Sequence, residues 1–212
     1  MPRKLILFDC DGVLVDSETL SSQIFAEEAT KLGWKLTTEE VLHRFAGGKF
    51  AAVLAEFEAN IQQAIPPDFE RHLRQRTYAA FRESLQPIPS IKAVIEQLQH
   101  PFCVASNGPR AKIELNLGIT GLLPYFEGRI FSAYELNIWK PDPAFYLTVA
   151  QQLGYAPEDC LVIEDSLAGL RSAKAAGIEV WVYAKATPDE RILAEEVRVF
   201  RDMGELPRML LG

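Results

Sequence analysis

The sequence predicts an α/β fold in which a doubly wound parallel sheet carries an inserted α-helical cap domain. Short runs rich in branched apolar residues recur along the chain, as expected of buried strands. Helical periodicity separates the later runs, and this alternation is typical of a parallel sheet with helices on both faces. One long stretch after the first run has helical periodicity and no strand pattern, and it therefore predicts the insertion.

The first predicted element is a strand over residues 5–9 that ends in carboxylates. Asp9 closes the apolar run, and Cys10, Asp11 and Gly12 follow it directly. Side chains two positions apart on an extended chain point the same way, so Asp9 and Asp11 should project together while Cys10 turns into the core. Taken alone, Asp and Gly after a strand are also ordinary turn residues.

The second predicted element is the helical block. We predict an inserted helical domain, called the cap below, over residues 18–85 and a parallel-sheet core over residues 1–17 and 86–212. Asp16 and Ser17 are expected to cap the first cap helix. Helical periodicity covers residues 19–31, 39–45, 50–64 and 69–85.

The remaining predicted elements return to strand and helix alternation. Two helices are predicted over residues 144–153 and 167–176, and Gly177 is expected to close the second. The predicted strands of this part of the chain are 102–106, 161–165, 180–183 and 197–200.

Polar residues follow several of these strands, at the sheet edge where parallel strands gather functional groups. Ser106, Asn107 and Gly108 end one strand, Glu164 and Asp165 end another, and two prolines hold Lys140 in a stiff loop. Three acids at one edge (Asp9, Asp11 and Asp165) would repel each other unless a hard cation lay among them. Such oxygen ligands suit Mg²⁺, and Lys140 would supply further positive charge.

Composition narrows the classes of partner. A net charge of −7 argues against nucleic acid as the main binding partner. It is compatible with a small anionic substrate that binds near a metal or a few local cations. Cys10, Cys103 and Cys160 have neither disulfide nor zinc spacing, and we interpret them as buried thiols in a reducing compartment. No run approaches the roughly 20 apolar residues that a membrane span needs. We expect a cytoplasmic protein without a membrane partner, as a monomer or a weak homodimer.

Four ordered segments resemble the motifs of the haloacid dehalogenase superfamily, whose core is Rossmann-like. The helical block resembles the cap of its phosphatase and phosphomutase branch, and VASNGP with WKPDP resembles bacterial sugar-phosphate phosphatases of the 6-phosphogluconate phosphatase type. The resemblance implies Mg²⁺-dependent hydrolysis of a small phosphorylated metabolite, such as 6-phosphogluconate. The four segments are Asp9-Cys10-Asp11-Gly12-Val13, Ser106-Asn107-Gly108, Lys140-Pro141-Asp142-Pro143 and Glu164-Asp165-Ser166.

The resemblance also implies a role for each residue. Asp9 would be the nucleophile that forms an aspartyl phosphate, and Asp11 the general acid and then the general base. The Asp9 and Asp165 carboxylates and the Asp11 carbonyl would bind Mg²⁺, with Glu164 acting through water or through the other ligands. Lys140 would bridge Asp9 and the phosphoryl group. The phosphate oxygens would be held by Ser106, Asn107 and Gly108.

Substrate choice is expected to come from the cap. Lys49, beside Gly47 and Gly48, is the candidate for binding a second part of the substrate, and a solvated surface lysine is the alternative. Arg44 and Lys112 are further candidates. A solvated helix face is expected for Arg71, Arg74, Arg76 and Arg82.

Three other activities share parts of this pattern. A β-phosphoglucomutase-like enzyme shares all four motifs, but such mutases carry a His on the first cap helix where this chain has Ser21. A signalling receiver domain also uses a phosphorylated Asp, Mg²⁺ and a Lys, but it is about one small domain long. A true dehalogenase attacks carbon, and Asp11 with the Glu164-Asp165 pair counts against it. Hydrolysis is therefore favoured.

Overall fold

The computed structural model of the protein describes residues 4–45, 50–61, 64–185, 187–188 and 190–211. Within these residues, six parallel strands form one sheet in the order β3-β2-β1-β4-β5-β6. The predicted fold class is confirmed. The strands are β1 Leu5–Phe8, β2 Phe102–Ser106, β3 Ile130–Ser132, β4 Cys160–Glu164, β5 Glu179–Tyr183 and β6 Arg198–Phe200.

Helices connect the strands, and a separate group of helices follows β1. The cap helices are α1 Glu18–Lys31, α2 Thr38–Phe45, α3 Phe50–Asn60 and α4 Phe69–Ser84. The remaining helices are α5 Ile91–Gln97, α6 Arg110–Ile119, α7 Ala133–Leu136, α8 Ala144–Gln152, α9 Leu167–Ala175, α10 Glu190–Leu193 and α11 Leu206–Met209. Among the described residues, no helix combines the length and the apolar character needed to cross a membrane.

The strand order places one crevice at the middle of the sheet. The chain begins at the central strand β1, adds β2 and β3 on one side, and then adds β4, β5 and β6 on the other. Phe8 at the end of β1 pairs with Val104 of β2 and with Ile163 of β4. Ligands of doubly wound sheets bind where the strand order reverses in this way, at the carboxyl ends of the strands.

Strand β1 is buried on both faces. Ile6 and Phe8 pack into the apolar cluster on one side of the sheet, and Leu5 and Leu7 pack into the cluster on the other side. Alternate side chains of a strand point to opposite faces, and helices cover both faces here. The residue that follows β1 is therefore held by a strand with little freedom to shift.

The cap has an apolar cluster of its own, distinct from the two clusters of the sheet. Phe57 stacks on Phe69 with ring centroids 4.9 Å apart and meets Phe25 edge-on at 5.6 Å. The two segments that join cap and core run side by side, since Asp16 N donates to Gln86 O at 2.9 Å. We propose that the cap and core divide at the boundaries expected from the sequence, 18–85 and the remainder.

Several element predictions need correction. The strand β3 was not predicted, because it is a three-residue edge strand without an extended apolar run. Helices α5 and α6 were also not predicted. Strands β1 and β4 end at Phe8 and Glu164, one residue earlier than expected, and α3 ends at Asn60 rather than at residue 64.

Candidate active site

A cavity of about 260 Å³ lies between the carboxyl edge of the sheet and the cap helices. The core contributes its polar strand-end residues, and the cap contributes a wall of both apolar and polar side chains. The core residues on this cavity include Asp9, Asp11, Ser106, Asn107, Gly108, Lys112, Lys140 and Asp165. The cap residues include Ser21, Phe25, Phe45, Leu73, Arg74, Thr77 and Tyr78.

Asp9 stands at the centre of the edge. Its backbone N–H donates to Ile163 O at 3.0 Å, and its carboxylate accepts a hydrogen bond from Lys140 Nζ at 2.6 Å. Burial, together with the negative charges of Glu164 and Asp11, raises the pKa of Asp9 to about 7 in spite of the Lys140 charge. The Asp9 site therefore carries more negative charge than the one ammonium group compensates.

Hydrogen bonds fix both the backbone and the ammonium group of Lys140. Its Nζ donates to Asp9 and also to Glu164 Oε1, each at 2.6 Å, and its side chain is 2% exposed. Its backbone N–H donates to Asn107 Oδ1 at 2.9 Å, and Asn107 Nδ2 donates back to its carbonyl at 3.3 Å. Burial lowers the pKa of Lys140, but the Asp9 and Glu164 charges outweigh burial and raise it well above its usual value. Lys140 is thus a permanently charged, rigid cation.

The Glu164 side chain is occupied by protein donors. Its Oε1 accepts from Lys140 and from the Tyr146 hydroxyl at 3.0 Å, and its Oε2 accepts from the backbone of Asp165 and Ser166 and from Ser166 Oγ. Burial acts to raise the pKa of Glu164, but Lys140 and these hydrogen bonds keep it low. Helix α9 packs so close to this carboxylate that a Cβ atom at Gly169 would clash with it, and the position therefore requires glycine.

The carboxylates of Asp9, Glu164 and Asp165 offer oxygen atoms within 4.8 Å of one another. Burial raises the pKa of Asp165 well above its usual value, and the charges of Glu18, Glu164 and Asp9 raise it further. Gly12, at φ 78°, lets Asp165 approach, because a Cβ atom there would clash with its carboxylate. The crowded and incompletely compensated carboxylates of Asp9 and Asp165 fit a hard divalent cation such as Mg²⁺.

Asp11 faces a different set of neighbours. Its Oδ2 accepts from Lys112 Nζ at 2.7 Å, and its Oδ1 accepts from Ser17 Oγ and from Asn116 Nδ2 at 3.3 Å. Burial acts to raise the pKa of Asp11, but the Lys112 charge with the Lys112 and Ser17 hydrogen bonds holds it below its usual value.

The capping role expected for Asp16 and Ser17 was wrong. Ser17 lies at the start of α1, but its hydroxyl makes no hydrogen bond to the helix and binds Asp11 instead. Asp16 pairs with Lys185 at 2.6 Å.

Ser106, Asn107 and Gly108 lie together on the cavity, as a tight turn between β2 and α6. Ser106 is 2% exposed, and its Oγ accepts from Gly108 N at 3.1 Å. Gly108 O in turn accepts from Ser132 Oγ at 2.7 Å. This turn is fixed by its own hydrogen bonds, and it lies immediately before a helix N-terminus, where anions are favoured.

The cap residues that line the cavity are not those expected from the sequence. Lys49, with Gly47 and Gly48, lies outside the described residues. Arg74, expected on a solvated face, lies on the cavity wall, where Nη2 is 3.5 Å from the Tyr134 hydroxyl and 2.8 Å from Glu70 Oε1. Arg44 pairs with Glu56 at 2.7 Å.

Three residues contact the carboxylates of the site in ways that the sequence did not predict: Lys112, Asn116 and Tyr146. Lys112 and Asn116 are four residues apart on α6, and helical spacing would have placed them on one face, although nothing in the sequence points that face at Asp11. Tyr146 lies in an apolar helical run that gives no signal of a polar contact.

Comparisons with known proteins agree with this geometry. A family profile for haloacid dehalogenase-like hydrolases matches residues 3–177. The protein named 6-phosphogluconate phosphatase of Escherichia coli (strain K12) is 32% identical over 206 residues, which cover 96% of this chain and 93% of that one.

Solved structures match over almost the whole chain. A conserved haloacid dehalogenase-like protein of unknown function from Agrobacterium tumefaciens str. C58 superposes with a TM-score of 0.86 at 30% identity, covering 99% of this chain and 98% of that one. A HAD family hydrolase from Deinococcus radiodurans R1, with bound phosphate and sodium, gives 0.80 at 32% identity, covering 99% and 95%.

Proposed function

The chain belongs to the haloacid dehalogenase-like hydrolase family, and from this premise we propose that it is a Mg²⁺-dependent phosphatase of sugar phosphates. The observation that carries the proposal is the contact of buried Lys140 with Asp9 at 2.6 Å, beside the Asp165 carboxylate. A carboxylate in such a site becomes able to approach an anionic phosphoryl group once its charge is compensated. The family and its phosphatase relatives support a phosphoric monoester hydrolase.

In the proposed reaction, Asp9 attacks phosphorus in line and becomes an aspartyl phosphate. Lys140 holds the Asp9 carboxylate and neutralises part of the phosphoryl charge. Ser106, Asn107 and Gly108 hold the phosphate oxygens through hydroxyl and backbone N–H groups. Asp11 gives a proton to the leaving alcohol and then takes one from the water that hydrolyses the intermediate.

The Mg²⁺ ion would be held by the Asp9 and Asp165 carboxylates and by the Asp11 backbone carbonyl. When bound, the ion supplies positive charge for the carboxylates and the phosphoryl oxygens. Glu164 has its oxygens engaged by protein donors, which favours an indirect role in which it fixes Lys140 and the Asp165 backbone.

A sugar phosphate such as 6-phosphogluconate is the proposed substrate. The similarity to the Escherichia coli 6-phosphogluconate phosphatase supports this choice, as does the polar cap wall formed by Ser21, Arg74 and Thr77. Ser21 also supports hydrolysis over phosphoryl transfer between sugar hydroxyls, because it lies on the cavity where mutases of this branch carry a His.

The test is phosphate release from a panel of esters, with and without Mg²⁺, by wild type and Asp9→Asn. The panel contains 6-phosphogluconate, hexose and pentose phosphates, and nucleotides. We expect release by wild type that disappears with a chelator and in Asp9→Asn, because the nucleophile is lost.

A matched control is Asp68→Asn, which changes an exposed aspartate and should keep wild-type activity. Absence of release from every ester, in a folded protein that binds Mg²⁺, would contradict the proposal. A phosphorylated Asp9 that persists for many minutes would then favour a signalling role.

A further inference from the structure

The Asp11 carboxylate, in the loop after β1, is held by donors from two other segments of the chain. Lys112 and Asn116 reach it from α6, and Ser17 reaches it from the start of α1. Lys112 binds Oδ2, whereas Ser17 and Asn116 bind Oδ1. Because both oxygens are engaged and the donors come from different directions, the carboxylate is fixed in rotation as well as in position.

This contact differs from an ordinary surface ion pair. The side chains of Lys112 and Asp11 are only 21% and 22% exposed. Asn116 is fully buried, and in the described part of the chain its Oδ1 has no hydrogen-bond partner while its Nδ2 points at Asp11. A buried amide with an unsatisfied oxygen costs stability, so stability alone does not account for the arrangement.

Lys112 and Lys140 both attract the Asp11 carboxylate, and their competition indicates the role of Lys112. Asp11 lies close enough to Asp9 and to Lys140 for both charges to act on it. Lys140 attracts the Asp11 carboxylate but is already bound to Asp9 and Glu164. Lys112 is the charged group that binds Oδ2, and without it only the neutral donors Ser17 and Asn116, both on Oδ1, would hold Asp11 against the attraction of Lys140.

We propose that Lys112 is a positioning residue, which holds the Asp11 carboxyl group in the orientation that proton transfer to the leaving oxygen requires. The inference rests on the proposed function. In the first step the bond from Asp9 to phosphorus forms, the bond from phosphorus to the leaving oxygen breaks, and the Asp11 proton passes to that oxygen. In the second step a water oxygen bonds to phosphorus, the bond from phosphorus to Asp9 breaks, and a water proton returns to Asp11.

Leaving groups of different basicity test this role. An alkoxide of a sugar needs a proton to leave, whereas 4-nitrophenolate leaves without one. For Lys112→Met we expect kcat/KM to fall about tenfold or more with the best sugar phosphate and by less than about threefold with 4-nitrophenyl phosphate. Lys112→Arg, which keeps the charge, should recover most of the loss on the sugar phosphate.

Inhibition by inorganic phosphate separates positioning from substrate binding. Lys112→Met should leave the inhibition constant unchanged, and so should the matched control Lys92→Met, which removes an exposed lysine from α5 and should keep wild-type rates. Equal losses on both esters, with weaker phosphate inhibition, would overturn the inference in favour of a substrate-binding cation.

If Lys112→Met loses no activity on either ester, the proposed positioning role is overturned in favour of a purely structural ion pair. A wild type inactive on every ester would refute the proposed function and this inference together. A wild type that is active while Lys112→Met affects both esters alike refutes the inference alone. If Lys112→Met does not fold, Lys112→Gln carries the same comparison.

Discussion

Asp9 and Asp11 are two residues apart, yet the pKa of Asp9 is raised to about 7 while that of Asp11 is lowered. Burial acts on both in the same direction. The difference lies in the cations, because Lys140 is shared between Asp9 and Glu164, whereas Lys112 serves Asp11. The two carboxyl groups therefore differ in proton affinity because different cations contact them, and the Lys112 contact favours the ionised form of Asp11 that accepts a proton from water in the second step.

Arg74 gives a residue-scale prediction about substrate choice. It lies on the cavity wall between Glu70 of the cap and Tyr134 of the core, with its side chain 29% exposed. If it binds a second anionic group of the substrate, Arg74→Met should raise KM for 6-phosphogluconate about tenfold, since a charged hydrogen bond is lost. The KM for glucose 6-phosphate, which lacks the carboxylate, should change little.

Arg71→Met is the matched control, because Arg71 lies on the same helix with 68% of its side chain exposed. It should leave both KM values at the wild-type level. Steady-state kinetics on the two substrates checks the prediction, and an equal rise in KM for both would show that Arg74 does not read the carboxylate.

At the scale of elements, the carboxyl ends of β1 and β4 carry an excess of negative charge. Burial raises the pKa of Asp9 to about 7 and that of Asp165 well above its usual value. Both groups bind protons more tightly in the folded protein than in the unfolded chain. Asp9 therefore lowers the free energy of unfolding as pH rises from about 4 through about 7, and Asp165 acts in the same direction.

The same charge should make Mg²⁺ stabilisation depend on pH. A cation that binds only the folded state raises the melting temperature, and it binds better when the carboxylates are ionised. We expect saturating Mg²⁺ to raise the Tm more at pH 8 than at pH 5.5, measured by calorimetry. In Asp9→Asn most of this difference should vanish, and a Mg²⁺ effect that is equal at both pH values would contradict the assignment of the site.

At the scale of the whole molecule, the protein consists of a sheet with two apolar clusters and a cap with a third. The cap joins the core through two neighbouring segments, where Asp16 meets Gln86 and Ile88 N donates to Leu14 O at 3.0 Å. Because the cap buries its apolar side chains largely among themselves, it should lose structure without unfolding the sheet.

Phe57→Ala tests this division. Phe57 is fully buried in the cap cluster, and its removal should destabilise the cap by about 3–5 kcal/mol through lost burial and a cavity. Hydrogen exchange should become faster in α1, α3 and α4, while β1 and β4 keep wild-type protection. Phe126→Ala, the matched deletion in a core cluster, should raise exchange in the sheet. Faster exchange throughout the chain in Phe57→Ala would show that cap and core unfold as one unit.

The sequence by itself determined the parallel-sheet fold, the helical insertion and the residues at the strand ends. Those predictions rest on local signals, since apolar runs, helical periodicity and turn residues are visible within a few positions. The strand ends place Asp9, Asn107 and Glu164 at one edge of the sheet, where Lys140 from the loop between α7 and α8 contacts all three. Short β3 and the helices α5 and α6 gave weaker local patterns and were not predicted.

Only the tertiary structure decided which charges meet across long separations in the chain. Lys112 reaches Asp11 across 101 positions, and Tyr146 reaches Glu164 from an apolar helix. Arg74 faces the cavity and Ser17 turns from its helix to Asp11, although their local sequence suggests a solvated face and a helix cap. Local sequence fixes which side of a helix a residue occupies, but the packing of helix against sheet fixes what that side faces.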